Sequence, residues 1–194
     1  LGLYGFFHGG GARHGVAANS KSATWKRAEP GRNLGRGLVM FTHVPRVLWS
    51  VFRGADLKPQ PLTGLPSRPH IYSARVNALL DIDQFMHMNN ASYAVHFEMA
   101  RWEMGAANGL TAKCFKENIA FIVASSAIRF RKELKPLQPF EIHTECHSAD
   151  ERSMHIVQIA KQGERVYAGQ LCRAVLRQGR ELVSPRKVLM EVAG

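Results

Sequence analysis

The order of elements legible in the sequence predicts an α+β domain in which one long helix packs against a mostly antiparallel sheet. Three observations lead there. Residues 91–107 place Tyr93, Phe97, Ala100, Met104 and Ala107 at spacings of 4, 3, 4 and 3, one continuous apolar stripe along a helix. One strand pattern precedes this helix and four follow it, the last three at hairpin spacing. A single amphipathic helix must bury its stripe, and one face of an antiparallel sheet is the economical partner.

Taken in order, residues 1–37 are rich in Gly, Arg, Ser and Asn. They hold one acid, Glu29, against Arg13, Lys21, Lys26, Arg27, Arg32 and Arg36. That composition suits a mitochondrial presequence or a matrix protein's extension, and equally a solvated basic tail. Residues 38–54 read as a short amphipathic segment broken at Pro45. Pro59, Pro61, Pro66 and Pro69 make 55–70 an extended linker. Residues 1–70 are thus a basic extension and linker, and 71–194 the folded domain.

Within that domain Ile71–Leu80 is a strand candidate and 81–89 a polar loop. Asn89 and Asn90 stand where the helix wants an N-cap, and Asn108-Gly109 supplies its stop. The strand Ile119–Lys132 ends in clean alternation, with Ile128 and Phe130 opposite Arg129 and Arg131. Phe140, Ile142, Thr144 and Cys146 alternate with Glu141, His143, Glu145 and His147. Met154–Lys161 then turns at Gln162-Gly163 into Val166–Arg177. Ser184-Pro185 opens a terminal helix.

Composition narrows the function classes. The 194 residues carry a net charge of +11 and are 45% apolar, enough to build a core. Residues 1–70 hold ten Lys/Arg against Glu29 and Asp56, a net of +8, which points to a polyanionic partner or an import signal. Cys114, Cys146 and Cys172 fit neither a disulfide framework nor a zinc site, and suit a reducing compartment. The best apolar run, Leu38–Phe52, is interrupted by His43, Pro45 and Arg46 and falls short of the roughly 20 residues a spanning helix needs, so no transmembrane segment is expected. Ser125 and Ser126 lack a nucleophile-elbow context, and Gly31, Gly35 and Gly37 lack a phosphate loop's Lys-Ser/Thr. His143, Glu145 and His147 share a strand face, which reads as an exposed face rather than a metal site.

The informative stretch is Asp81-Ile82-Asp83-Gln84-Phe85-Met86-His87-Met88-Asn89-Asn90-Ala91-Ser92-Tyr93, followed by Phe97-Glu98 and Ala100-Arg101. It resembles the hotdog-fold thioesterases of the 4-hydroxybenzoyl-CoA thioesterase-like group, whose pattern is roughly D-x-D-x-x-G-H-x-N-N-x-x-Y and then F-E-x-x-R. Within that group it is most similar to the thioesterase superfamily member six-like proteins, through HMNN, Pro139-Phe140-Glu141 and the Ser-Pro helix. The likeness covers about residues 70–192. Met86 departs from it, standing where the group has Gly; a side chain there is expected to narrow the pocket mouth or alter the loop's backbone.

The resemblance implies a hotdog fold, one long helix wrapped by an antiparallel sheet, and cleavage of an acyl-CoA or acyl-carrier thioester without metal or redox cofactor. It makes Asp83 the catalytic carboxylate, acting as nucleophile or as general base for water. The Asn90 backbone N–H polarises the carbonyl, in keeping with the unpaired N–H groups at any helix N-terminus. His87 orients the loop or the substrate, and Asn89 caps the helix or touches the substrate. Glu98 and Arg101 are expected to pair along the helix or at a dimer contact. Hotdog domains pair, so the pocket is expected between two chains. The expected location is the mitochondrial matrix. The alternative is a non-catalytic hotdog subunit of a mitochondrial assembly, foremost the mitochondrial ribosome, with residues 1–54 touching ribosomal RNA and neighbouring ribosomal proteins.

Overall fold

The structure, a computed structural model, describes residues 34–56 and 64–193, with the side chains of the first helix from His43 onward. Helix α1 spans Leu34–Asp56 and strand β1 His70–Arg75. Helix α2 spans Asn90–Ala107 and α3 Leu110–Lys116. Strands β2 (Ile119–Phe130), β3 (Pro139–Ala149), β4 (Met154–Gln162), β5 (Arg165–Gln178) and β6 (Glu181–Val183) follow, and α4 (Pro185–Ala193) closes the chain. The sheet runs β1-β3-β4-β5-β2, every pair antiparallel. Where β4 ends, opposite Ala174, β6 takes up its side of β5, pairing Val183 with Leu176.

The five residues of the apolar stripe are all buried along α2. Phe97 and Ala100 are fully enclosed with Phe140, Ile142 and Ala160 of the sheet. A second core cluster lies beyond, where Leu110 and Cys114 of α3 and Val188 of α4 meet Ile156, Cys172 and Leu176. Lys113 ties α3 to α4 through Glu191 at 2.6 Å. The Asn89 side chain caps α2, accepting from the Ala91 N–H at 2.8 Å, and Gly109 takes φ 85° past its end. Ser184 caps α4 in the same way, its hydroxyl accepting from Lys187 N–H.

Three features differ from the sequence reading. The first strand stops at Arg75, because the Asn77 side chain accepts from the N–H groups of Leu79 and Leu80 and turns the chain. The helix across residues 38–54 is not broken at Pro45 but runs through it from Leu34 to Asp56. Proline removes one N–H from the helix, and contacts of the following turns outweigh that loss. Helix α3 and strand β6 are additional elements, the latter made by a turn at Gly179 with φ 60°.

Candidate active site in the loop before α2

The loop 77–89 is built on Asp81 and Asp83. Asp81 is fully buried and accepts four contacts: the Asn77 N–H at 2.9 Å, His96 Nε2 at 2.9 Å, Arg46 Nη2 at 3.2 Å and, through its backbone carbonyl, the Asn89 N–H at 2.7 Å. The Tyr72 hydroxyl lies 3.4 Å from His96 Nδ1, and Arg46 Nη2 lies 3.4 Å from His96 Nε2. Burial, then the charge of Glu103, pushes the Tyr72 hydroxyl up to about 12. Asp81 thereby fixes both ends of the loop against α1, β1 and α2.

Asp83 is half-buried at the loop's turn. Its Oδ1 accepts from the Phe85 N–H at 2.9 Å and the His87 N–H at 3.4 Å, and its Oδ2 has no hydrogen-bond partner among the described residues. Met86 adopts φ 61°, the left-handed conformation that glycine takes without cost. Its side chain is 60% exposed, so the replacement keeps the backbone path at the expense of local strain. His87 Nε2 meets the Glu133 carboxylate at 2.8 Å, tying the loop to the segment after β2. Met88 N–H donates to the Leu134 carbonyl at 2.8 Å. Asn89 spends its side-chain oxygen on the cap, and Asn90 is the first residue of α2, whose N–H has no acceptor within the helix. Asp83, His87, Asn89 and Asn90 thus lie in one loop and the first turn of one helix, as the motif's spacing requires.

An apolar cavity lies elsewhere, between α2 and β2. Its volume is about 460 Å³, and its walls include Val95, Trp102, Leu110, Phe121, Val123 and Ile156. Glu98 and Arg101 also line it. Their charges interact along the helix. Arg101 Nη1 donates to Gln158 Oε1 at 2.6 Å and lies 3.4 Å from Gln170 Oε1, while Glu98 accepts from the Trp102 indole. Gln158 in turn bonds the Phe97 carbonyl and Thr144 Oγ1, which locks the guanidinium onto the sheet. None of Asp83, His87, Asn89 or Asn90 lines this cavity.

A second buried polar group was not legible beforehand. Glu103 is buried with His70 Nε2 at 3.3 Å and Arg53 Nε at 3.5 Å, and its Oε2 accepts no hydrogen bond among the described residues. Ser92, His96, Met99 and Glu103 form a second buried stripe at spacings of 4, 3 and 4, beside the apolar one. Its polarity hid its burial. On β3, His143 pairs with Glu141 and His147 with Glu145, and Glu145 is buried rather than on an exposed face. No group of three or more His, Cys, Asp or Glu among the described residues could hold a metal ion.

Residues 78–191 match the family model of the thioesterase-like superfamily. The chain belongs to that family. Protein THEM6 of Danio rerio is 32% identical over 113 residues, which cover 57% of this chain and 54% of that protein. The chain spans about half the length of the curated relatives it matches. Among solved structures, SAV2348 of Staphylococcus aureus, described in complex with CoA, superposes with a TM-score of 0.59 at 14% identity, over 64% of this chain and 81% of that one. The gentisyl-coenzyme A thioesterase BH1999 gives a TM-score of 0.57 at 16% identity, over 64% and 99%. At those identities the likeness shows the hotdog fold. The expected RNA contacts of residues 1–54 fall largely outside the described residues, and none of the relatives named here is described as ribosomal.

Proposed function

We propose that the chain hydrolyses acyl-CoA thioesters, using Asp83 at a site completed by a second copy. The observation that carries this reading is the Asp83 carboxylate itself. Its own loop holds one oxygen and leaves Oδ2 free, beside the open N-terminus of α2. Asp83 Oδ2 attacks the thioester carbonyl carbon, or takes a proton from a water that attacks it. The carbonyl electrons move onto oxygen, where the Asn90 N–H stabilises the charge. Collapse of the adduct breaks the carbon–sulfur bond, and the CoA thiolate leaves to take up a proton. In the nucleophilic route water then cleaves the acyl-aspartate, so both routes yield a fatty acid and free CoA. His87 positions the loop through Glu133, and the Asn89 amide nitrogen remains available to substrate. The chemistry needs no metal or redox cofactor.

The apolar cavity along α2 suits the acyl group. Because the Asp83 loop and that cavity share no lining residue, the loop of one chain serves the cavity of its partner. The open edge strand β2, with Ile122, Val123 and Phe130 each 41% exposed, offers the pairing edge. The solved relative with CoA supports the choice of thiol. The acid-poor composition of residues 1–37 supports a mitochondrial matrix location. The test is release of free thiol from acyl-CoAs of graded chain length. Saturable turnover that rises from acetyl to a longer acyl chain is expected; no release from any of them refutes the reading.

A further inference from the structure

The second half of α1 turns Arg46, Ser50 and Arg53 inward, with Val47 against the core beside them. Arg46 pairs with buried Asp81 at 3.2 Å, Ser50 is buried, and Arg53 lies 3.5 Å from buried Glu103 and over the Tyr72 ring. Gly54 completes the contact: a Cβ there would collide with the Glu103 carbonyl and the Ala106 methyl. Leu48, Trp49 and Phe52 face the other way, 64%, 60% and 62% exposed, with the two aromatic rings stacked at 5.9 Å. An amphipathic helix on a water-facing domain ordinarily does the reverse. The ion pairs hold α1 in this orientation, so the apolar face cannot turn inward without stripping buried Asp81 and Glu103 of their arginine partners.

We infer that this face docks on a bilayer containing anionic lipid, with α1 lying in the headgroup plane and Leu48, Trp49 and Phe52 inserted. Two features select lipid over a protein groove. A tryptophan stacked on a phenylalanine beside an aliphatic side chain is the composition of interfacial segments, whose rings settle at headgroup depth. The charge is complementary as well. Residues 1–36, which lead into and begin the helix, hold Arg13, Lys21, Lys26, Arg27, Arg32 and Arg36 against Glu29, a net of +5. Such a run adds attraction to an anionic surface for each cation near it. No helix among the described residues is long and apolar enough to cross a membrane, so the contact lies in the plane of the surface. None of Leu48, Trp49 and Phe52 belongs to the Asp83 loop, and the inference is independent of any hydrolysis there.

The experiment is co-sedimentation of the full chain with vesicles of phosphatidylcholine alone and of phosphatidylcholine mixed with phosphatidylserine. Wild type is expected to pellet with the mixed vesicles and to show a blue shift in tryptophan emission that Trp49→Phe removes. Leu48→Ser/Trp49→Ser/Phe52→Ser should bind them at least about tenfold more weakly. Its melting temperature should match wild type, since all three side chains are exposed. Absence of wild-type binding overturns the proposal. So does equal binding by the triple variant, which would assign the attraction to the basic segment alone. Self-association lost in the triple variant, without vesicle binding, would make a second copy the occupant and overturn it too.

Discussion

At Asp81 burial and hydrogen bonding act in opposite directions. Burial alone would push its carboxyl up, but the His96 hydrogen bond and charge, the Asn77 N–H and the Arg46 guanidinium outweigh it and hold the carboxyl below its ordinary 3.8. The unfolded chain titrates near the ordinary value. Stabilisation from this site is therefore complete above pH 3.8 and disappears as pH falls through the folded value. Asp81→Asn should flatten the dependence of melting temperature on pH in that acid window. At neutral pH it should cost roughly 3–5 kcal/mol, because Arg46 and His96 lose their buried anion. Thermal unfolding of both proteins from pH 2.5 to 7 checks this, and an unchanged acid slope would contradict it. The sequence motif contained Asp81 but assigned it no role. Its partners Arg46 and His96 lie 35 and 15 residues away, and no local pattern links them. Asp83, by contrast, is singled out by the resemblance of residues 81–93 to the thioesterase pattern; its spacing from the capped helix start places it only in the loop ahead of that helix.

Among the elements, α2 shows what periodicity can and cannot reveal. Tyr93, Phe97, Ala100, Met104 and Ala107 declare a buried face because they are apolar. His96 and Glu103 are equally buried, yet their polarity mimics a solvent-facing side. Their partners come from distant segments — Arg46 and Arg53 of α1, Asp81 of the loop, His70 and Tyr72 of β1 — and Pro45 disguises α1 in the sequence. The close approach of α1 to α2 depends on Gly54. Gly54→Val should force the helices apart and destabilise the domain by roughly 1–3 kcal/mol, the usual penalty of overpacking. Denaturant unfolding measures it. The released helix should also be cut faster by protease in its second half, and a variant as stable and as resistant as wild type would contradict the packing described. The short elements escaped notice for a different reason: seven residues in α3 and three in β6 are too few to show a period.

For the molecule as a whole, the open edge of β2 and the separation of cavity from carboxylate require a partner if the site is to work. Ile122→Lys places a charge on that edge, which disfavours strand pairing. Sedimentation should find wild type paired and the variant single, with thioester hydrolysis lost in parallel; single chains with full turnover would contradict a shared site. The hotdog arrangement could be read from the chain because its helix and strands follow one another with clear periods. A pocket between two chains is expected from the resemblance alone; which edge would pair is not, since that depends on β2's place in the folded sheet. The central claim is that the Asp83 carboxylate cleaves a thioester. It is tested most directly by free-thiol release from the best acyl-CoA substrate, measured side by side for wild type and Asp83→Asn at equal concentration and equal melting temperature. The amide keeps the size of the side chain and the oxygen that accepts from Phe85 and His87. The account predicts a fall in kcat of at least about a hundredfold with the loop intact. Equal rates for the two proteins would contradict it.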